Sequence, residues 1–197
     1  AILVHQGSSV SAEERRNRFG HGAATILFTG LTGSGKTTLA LELERLLFER
    51  NVHAAVLDGQ AMRMGLNRDL GFSAAERSEN LRRSMELARM MNSVGTICLA
   101  AFVAPEERSR EAAKELIGED RFLLVHLDAP LDVCRERDSS GLYGRQESGE
   151  HASIPGVTQP YDAPDAPDLR IDTGTISTAD AAQQVIKLLE DRKLIDR

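Results

Sequence analysis

The chain is poor in cysteine, has no long apolar run and carries no excess of positive charge. Only two cysteines, Cys98 and Cys134, occur in 197 residues. A single disulfide is open in principle, but neither the count nor the spacing suggests a disulfide framework or a zinc site. Cys98 sits in a strand-like apolar run and Cys134 in a short helical stretch, so two reduced, mostly buried thiols of a cytoplasmic protein are expected. The apolar runs are strand-sized, too short to span a bilayer. Residues 1–7 lack a basic segment and a long apolar stretch, which argues against a secretory signal. The chain starts on Ala1 rather than Met, as a processed chain or a piece of a longer protein does. A net charge of -6 argues against broad binding to nucleic acid or membrane surfaces. No internal repeat and no low-complexity tract is found. What remains is 41% hydrophobic and 27% charged, the balance of one globular domain with a sizeable core.

Residues 30 to 37 read Gly30-Leu31-Thr32-Gly33-Ser34-Gly35-Lys36-Thr37, a complete G-x-x-x-x-G-K-[ST] loop. Its glycines let the backbone curl so that successive N–H groups face phosphate oxygens. Lys36 is placed to reach β- and γ-phosphates, and the Thr37 hydroxyl to ligate Mg²⁺. The flanks agree with this reading. Ala24 to Thr29 is an apolar, β-branched run that predicts a buried strand, and Thr38 onward continues as an amphipathic helix. Strand, loop and helix N-terminus together make an anion site.

Strand and helix patterns then alternate. Strands are expected at 53–58, 96–103, 121–127 and 169–172. Capping boxes at Ser11/Glu14 and Ser73/Glu76 predict helices to about Arg18 and Ser93. Pro105 is expected to open a helix to about Ile117, and a closing helix is expected from Thr178 to about Asp191. This order predicts an α/β fold, a parallel sheet flanked by helices in three layers, with ligands at the edge where the strands end. Residues 138–167 hold four prolines and four glycines without a period. They read as a lid or as a passive surface loop. The expected organisation is a lead-in at 1–22 and a kinase-type domain at 23–197. The short polar helix of the lead-in suits either a link from another domain or a surface helix packed on the core.

The second strand ends in Asp58-Gly59. Asp58 at that edge would face a γ-phosphate, holding Mg²⁺ through water or accepting a proton from an acceptor hydroxyl. The alternative is a plain helix cap or turn. On the helix after Ser73, Arg77, Asn80 and Ser84 share one face. An Arg and an Asn aimed into the cleft would suit an anionic acceptor with polar base edges. Arg82, Glu86 and Arg89 read as a solvated face. Phe72 suits either stacking on a base or stapling the helix start.

Several separate blocks now coincide. Leu57-Asp58-Gly59-Gln60-Ala61-Met62-Arg63 runs on to Asn67-Arg68-Asp69-Leu70-Gly71-Phe72-Ser73, followed by Glu76-Arg77-Ser78-Glu79-Asn80. Asp128-Ala129-Pro130-Leu131, Cys134-Arg135-Glu136-Arg137-Asp138, Gly141-Leu142-Tyr143 and Pro160-Tyr161-Asp162-Ala163-Pro164 come later, in order. Over about residues 2 to 190 this pattern resembles the adenylylsulfate kinase family. The resemblance implies a P-loop NTPase-type three-layer sandwich that transfers the ATP γ-phosphate to the 3′-hydroxyl of adenylyl sulfate. By matching positions it implies that Arg63, Phe72, Arg77 and Asn80 contact adenylyl sulfate. Gly33, Ser34, Gly35, Lys36, Thr37 and Thr38 would hold the ATP phosphates, with Thr37 and Asp58 at Mg²⁺. Arg137 would lie against the ATP adenine, and Lys36 and Asp58 would be the catalytic pair. The family implies a homodimer or higher oligomer, and in some members a fused ATP sulfurylase.

Four positions depart from the family. Gln60 stands where the family has Asp, and an acid there would be an organiser for Arg63 or Arg77. Ala104 replaces Ser before Pro105, which leaves direct in-line transfer as the only route. Gly144-Arg145-Gln146-Glu147 replaces a basic run after Leu142-Tyr143. Ile154-Pro155-Gly156 replaces Phe-Thr-Gly, which removes an expected aromatic clamp on the substrate adenine. Beside the active kinase, a binding module that regulates or scaffolds a sulfurylase therefore stays open. A kinase for another hydroxylated acceptor, such as a sugar acid, is disfavoured by the Arg63, Arg77 and Asn80 set.

Overall fold

The computed structural model describes residues 8–138, 141–148 and 153–196. The first part of the expected lead-in (1–7) and parts of the expected lid (139–140 and 149–152) lie outside the described residues. In chain order the elements are α1 (Ala12–Phe19), β1 (Thr25–Thr29), α2 (Lys36–Glu49), β2 (Ala54–Asp58), α3 (Gly59–Met64) and α4 (Ala74–Ser93). After them come β3 (Ile97–Ala101), α5 (Glu107–Ile117), β4 (Phe122–Leu127), α6 (Leu131–Glu136), α7 (Leu142–Glu147), β5 (Leu169–Ile171) and α8 (Thr178–Asp191).

The five strands form one parallel sheet in the order β2-β3-β1-β4-β5. β1 and β3 are buried at every position, as strands covered on both faces must be. Successive side chains feed opposite layers. Ile26 and Phe28 of β1 pack with Leu39, Leu43 and Leu47 of α2 and with Val185 and Leu189 of α8. Leu27 packs on the other side, with Leu81 and Met85 of α4 and Ala113 and Ile117 of α5. Each such aliphatic side chain contributes roughly 1.5–3 kcal/mol by leaving water. These two apolar layers are what fix the sheet edge on which the strand ends converge.

The Ser73 capping box is formed, and α4 starts and stops where the sequence predicts. α5 starts two residues later than predicted, at Glu107 with Glu106 as its cap residue. Tertiary hydrogen bonds account for the delay. The Thr29 hydroxyl donates to Val103 O (2.6 Å), Arg110 Nη1 to Ala104 O (2.8 Å) and Asp162 N to Pro105 O (2.8 Å). They hold 103–105 outside the helix, with Ala104 at φ 43, and a residue before proline is already biased away from the helix.

The stretch predicted to be irregular contains α7 and a small cluster of its own. Tyr143 and Ile154 pack with Ala129 and Cys134, and Leu31 of the glycine loop lies against them. At the other end of the sheet α1 buries no residue, and Gly22 N donates to Leu194 O at 2.7 Å. No helix among the described residues is long and apolar enough to cross a membrane. Both cysteines are free and buried, and burial pushes the Cys98 thiol up to about 12.

Candidate active site

The loop between β1 and α2 is bent by residues that only glycine can be. Gly35 caps α2 at φ 94, in the left-handed region. At Gly33 a Cβ would meet Cys134 O at 2.3 Å, so the loop and the α6 backbone touch without room for a side chain. Lys36, 9% exposed, lies under the loop and donates to Gly30 O (3.0 Å) and Leu31 O (2.7 Å). Burial lowers its pKa to about 8, opposed by the nearby Cys134 and Asp58. In this state the ammonium is held by the loop's own carbonyls. Tyr143 donates to Thr32 O at 2.7 Å, so the α7 segment pins the outside of the same loop.

Next to the loop stands Asp58, and its two oxygens do different work. Oδ1 accepts from Gln60 N (2.9 Å) and Ala61 N (3.0 Å), capping α3. Oδ2 accepts from the Thr37 hydroxyl at 2.7 Å. The two readings that the sequence left open, helix cap and cleft acid, are thus carried by one carboxylate. Thr37 and Asp58 present oxygen donors side by side, which suits a hard divalent cation. Among the described residues no cluster of three His, Cys, Asp or Glu could cage a metal. A cation here would take its remaining ligands from a bound phosphate and water.

Across the cleft, Arg63 and Arg77 are held by main-chain carbonyls. Arg63 donates from Nη1 to Gly59 O (2.9 Å) and from Nε to Gly71 O (3.0 Å). Its guanidinium lies 4.6 Å from the centre of the Phe72 ring. Burial, and then the neighbouring charge of Arg77, bring Arg63 below the ordinary arginine range. Glu76 fixes the turn beneath it by accepting from Gly71 N and Ser73 N. Arg77 donates from Nη1 to Phe72 O (2.7 Å) and to Ser153 of the lid (2.9 Å). Its buried Nε has no partner among the described residues.

Three positions that the sequence left open take a definite place here. Gln60 is exposed, and carbonyls rather than an acid at 60 organise both arginines. Phe72 does not staple the helix: it is 62% exposed and carries Arg63 on its face. Ile154, expected where an aromatic would clamp a base, is fully buried in the small cluster with Tyr143 and Cys134, and Pro155 lines the cleft instead.

Of the residues predicted for the site, Gly33, Gly35, Lys36, Thr37, Thr38, Asp58, Arg63, Phe72, Arg77, Asn80 and Arg137 all line one cleft of about 540 Å³. Ser34 does not. Its side chain is buried, and its N–H closes a turn on Leu31 O at 3.1 Å. Arg83 points elsewhere, clamping Asp69 (2.8 and 3.0 Å) and Glu79. Arg137 lines the cleft and donates to Thr173 O (3.0 Å). The sequence reading missed Ser78, Ser109 and Ser153, which also line the cleft. No spacing rule marks an isolated serine, so only the packing of α4, α5 and the lid reveals them. A buried polar group supports this wall: the Tyr161 and Thr29 hydroxyls lie 3.0 Å apart, and Tyr161 stacks on His126. Burial holds the His126 imidazole below its usual pKa.

Comparison with known proteins finds relatives over most of the chain. The family model described as adenylylsulphate kinase matches residues 22–172. The bifunctional enzyme CysN/CysC of Rhodopirellula baltica is 54% identical over 183 residues, 93% of this chain. The chain spans only 28% of that relative's length. The adenylyl-sulfate kinase of Staphylococcus carnosus is 40% identical over 193 residues, which is 98% of this chain and 97% of the relative. Among solved structures, the Mycobacterium tuberculosis APS kinase CysC in complex with AMPPNP and APS superposes with a TM-score of 0.82 at 41% identity. That match covers 86% of this chain and 99% of the other.

Proposed function

Because the chain belongs to the adenylylsulfate kinase family, we propose that it transfers the γ-phosphoryl group of ATP to the 3′-hydroxyl of adenosine 5′-phosphosulfate. The products are 3′-phosphoadenylyl sulfate and ADP, a step of sulfate assimilation. The observation that carries this reading is one cleft with two unlike walls. A glycine-built loop with buried Lys36 and the Thr37–Asp58 pair forms one wall, and Arg63, Arg77 and Asn80 form the other.

In this reading the loop amides and Lys36 hold the ATP phosphates, and Arg137 lies against its adenine. Arg63 and Arg77 take the sulfate-phosphate end of the acceptor, with Phe72 and Asn80 at its nucleoside. A Mg²⁺ ion fits beside Thr37 and Asp58 and would neutralise charge on the phosphate oxygens when bound. Asp58 Oδ2 receives the proton of the 3′-hydroxyl as the new P–O bond forms and the bond to the ADP oxygen breaks. Oδ1 keeps the carboxylate in place through its two α3 amides. Ala104 offers no hydroxyl, so transfer is direct. The kinase domain is taken as residues 23–197, with a lead-in at 1–22 and a lid at about 138–167. A homodimer or higher oligomer, a cytoplasmic location and a fused or associated ATP sulfurylase complete the proposal. The 54% identity to part of a bifunctional enzyme supports the last of these.

The test is ADP release from Mg-ATP with and without adenylyl sulfate. Release that requires adenylyl sulfate and collapses in Asp58→Asn is the expected result. Release no faster than an enzyme-free blank would sink the reading.

A further inference from the structure

Asn67 lies in the loop after α3, outside the cleft lining, and is fully buried. Its Nδ2 donates to Asn80 Oδ1 at 2.7 Å and reaches Asn80 O at 3.4 Å. Asn80, 1% exposed, donates from Nδ2 to Gly59 O at 3.2 Å. Gly59 O also receives Arg63 Nη1. The Ser84 hydroxyl donates to Asn80 O at 2.7 Å and fixes the backbone end.

The amide orientations follow from donor and acceptor chemistry. A carbonyl such as Gly59 O only accepts, so Asn80 must turn its NH₂ toward it. That directs Asn80 Oδ1 at Asn67, which must then donate. The arrangement leaves Asn67 Oδ1 buried without a partner among the described residues. A buried orphan acceptor costs stability, so the Asn67–Asn80 bond forms alongside a local penalty. One N–H of Asn80 is spent on Gly59 O, and the second is what its amide can offer to the cleft.

We infer that Asn67 is a positioning residue that, together with Gly59 O, locks the polarity of the Asn80 amide, so that the acceptor wall presents a hydrogen-bond donor rather than an acceptor. The inference rests on the reading that Asn80 contacts adenylyl sulfate. Without the Asn67 donor, the Asn80 amide keeps only its 3.2 Å bond to Gly59 O, and the restraint on Asn80 Oδ1 is lost. A turned amide would set Oδ1 against Gly59 O and loosen the carbonyl that also holds Arg63.

The test compares wild type, Asn67→Leu, Asn67→Ala, Asn80→Ala and the Asn67→Leu/Asn80→Ala double variant by steady-state kinetics, with melting temperatures as a check of folding. The expected result is a rise of about tenfold in KM for adenylyl sulfate, the scale of one hydrogen bond. The kcat and the KM for ATP should stay within about twofold. In the Asn80→Ala background Asn67→Leu should add almost nothing, because the residues act as one unit. An unchanged KM in the folded single variants, or an equal loss in both backgrounds, would overturn the inference. Should neither Asn67 variant fold, ¹⁵N-asparagine-labelled wild type decides. A slowly exchanging Asn67 side-chain amide and an Asn80 amide that shifts with adenylyl sulfate support the inference. An Asn67 amide that exchanges like an exposed one overturns it. Wild-type protein that releases no ADP defeats the kinase reading instead, and the amide measurement still judges Asn67.

Discussion

The two walls of the cleft are made from different materials. The loop wall is main chain: glycines, helix N-terminus and one buried lysine, contiguous over residues 30–37 and braced by α6 and Tyr143. The opposite wall is side chain: two arginines, Asn80 and Phe72, spread over α3, α4 and the loop between them. A main-chain cradle binds through its amides, so it depends on backbone shape and on tight spots such as Gly33 rather than on side-chain chemistry. A side-chain wall depends on carbonyls and amides that hold each group in one orientation, so it can be retuned one residue at a time. The loop wall suits the part of the reaction shared by many enzymes, and the other suits choice of acceptor.

Four measurements would break or sharpen this contrast. The largest effect belongs to the loop. Lys36→Ala removes the cation that the proposed reading puts on the ATP phosphates and should lower kcat roughly 10²–10³-fold in the ADP-release assay, the scale for one preorganised charge-stabilising group. Arg77→Ala should raise KM for adenylyl sulfate roughly 10–100-fold, the worth of a charged hydrogen bond, with KM for ATP nearly unchanged. A parallel rise in both constants would mean that the walls are not separable.

The third measurement is pH. Lys36 with a pKa of about 8 loses its proton as pH rises through that value, and bound phosphate would restore it. ATP affinity should therefore fall above pH 8, by up to about tenfold per unit. Calorimetry at pH 8–9 in buffers of different ionisation enthalpy should show proton uptake on binding. The sign for folding is opposite to that of an ordinary salt-bridged lysine. The folded pKa lies below the unfolded one, so between about pH 8 and 10.5 the unfolded chain holds more protons and stability rises with pH. The smallest effect is expected from Gln60→Asp. Because carbonyls already hold Arg63 and Arg77, restoring the acid should change kcat/KM by less than about threefold, as surface charges do. A large gain would restore Gln60 as the missing organiser.

Much of the frame was legible in advance. The two capping boxes mark the starts of α1 and α4, and the apolar runs mark every strand to within two residues. These signals are local, carried by hydrogen bonds and periodicity within a few residues. α3 was missed because it is a single short helix whose cap is Asp58 itself. α7 was missed because its Gly-rich segment has no apolar period, and contacts with Thr32 and the Tyr143 cluster hold it. Ile154 could not be told from a cleft residue, since facing the lid core or the cleft depends on a docking that no local pattern records.

By itself, then, the sequence determined the parallel α/β layering, the phosphate loop and the set of charged residues available to an acceptor. Each of these depends on neighbours close in the chain. Only the tertiary structure decided that Asp58 caps a helix while bonding Thr37, and that carbonyls rather than Gln60 hold the arginines. It also decided that Asn67 stands behind Asn80. Those facts are hydrogen bonds between separate segments, and their geometry exists only once the sheet and its two apolar layers have brought the segments together.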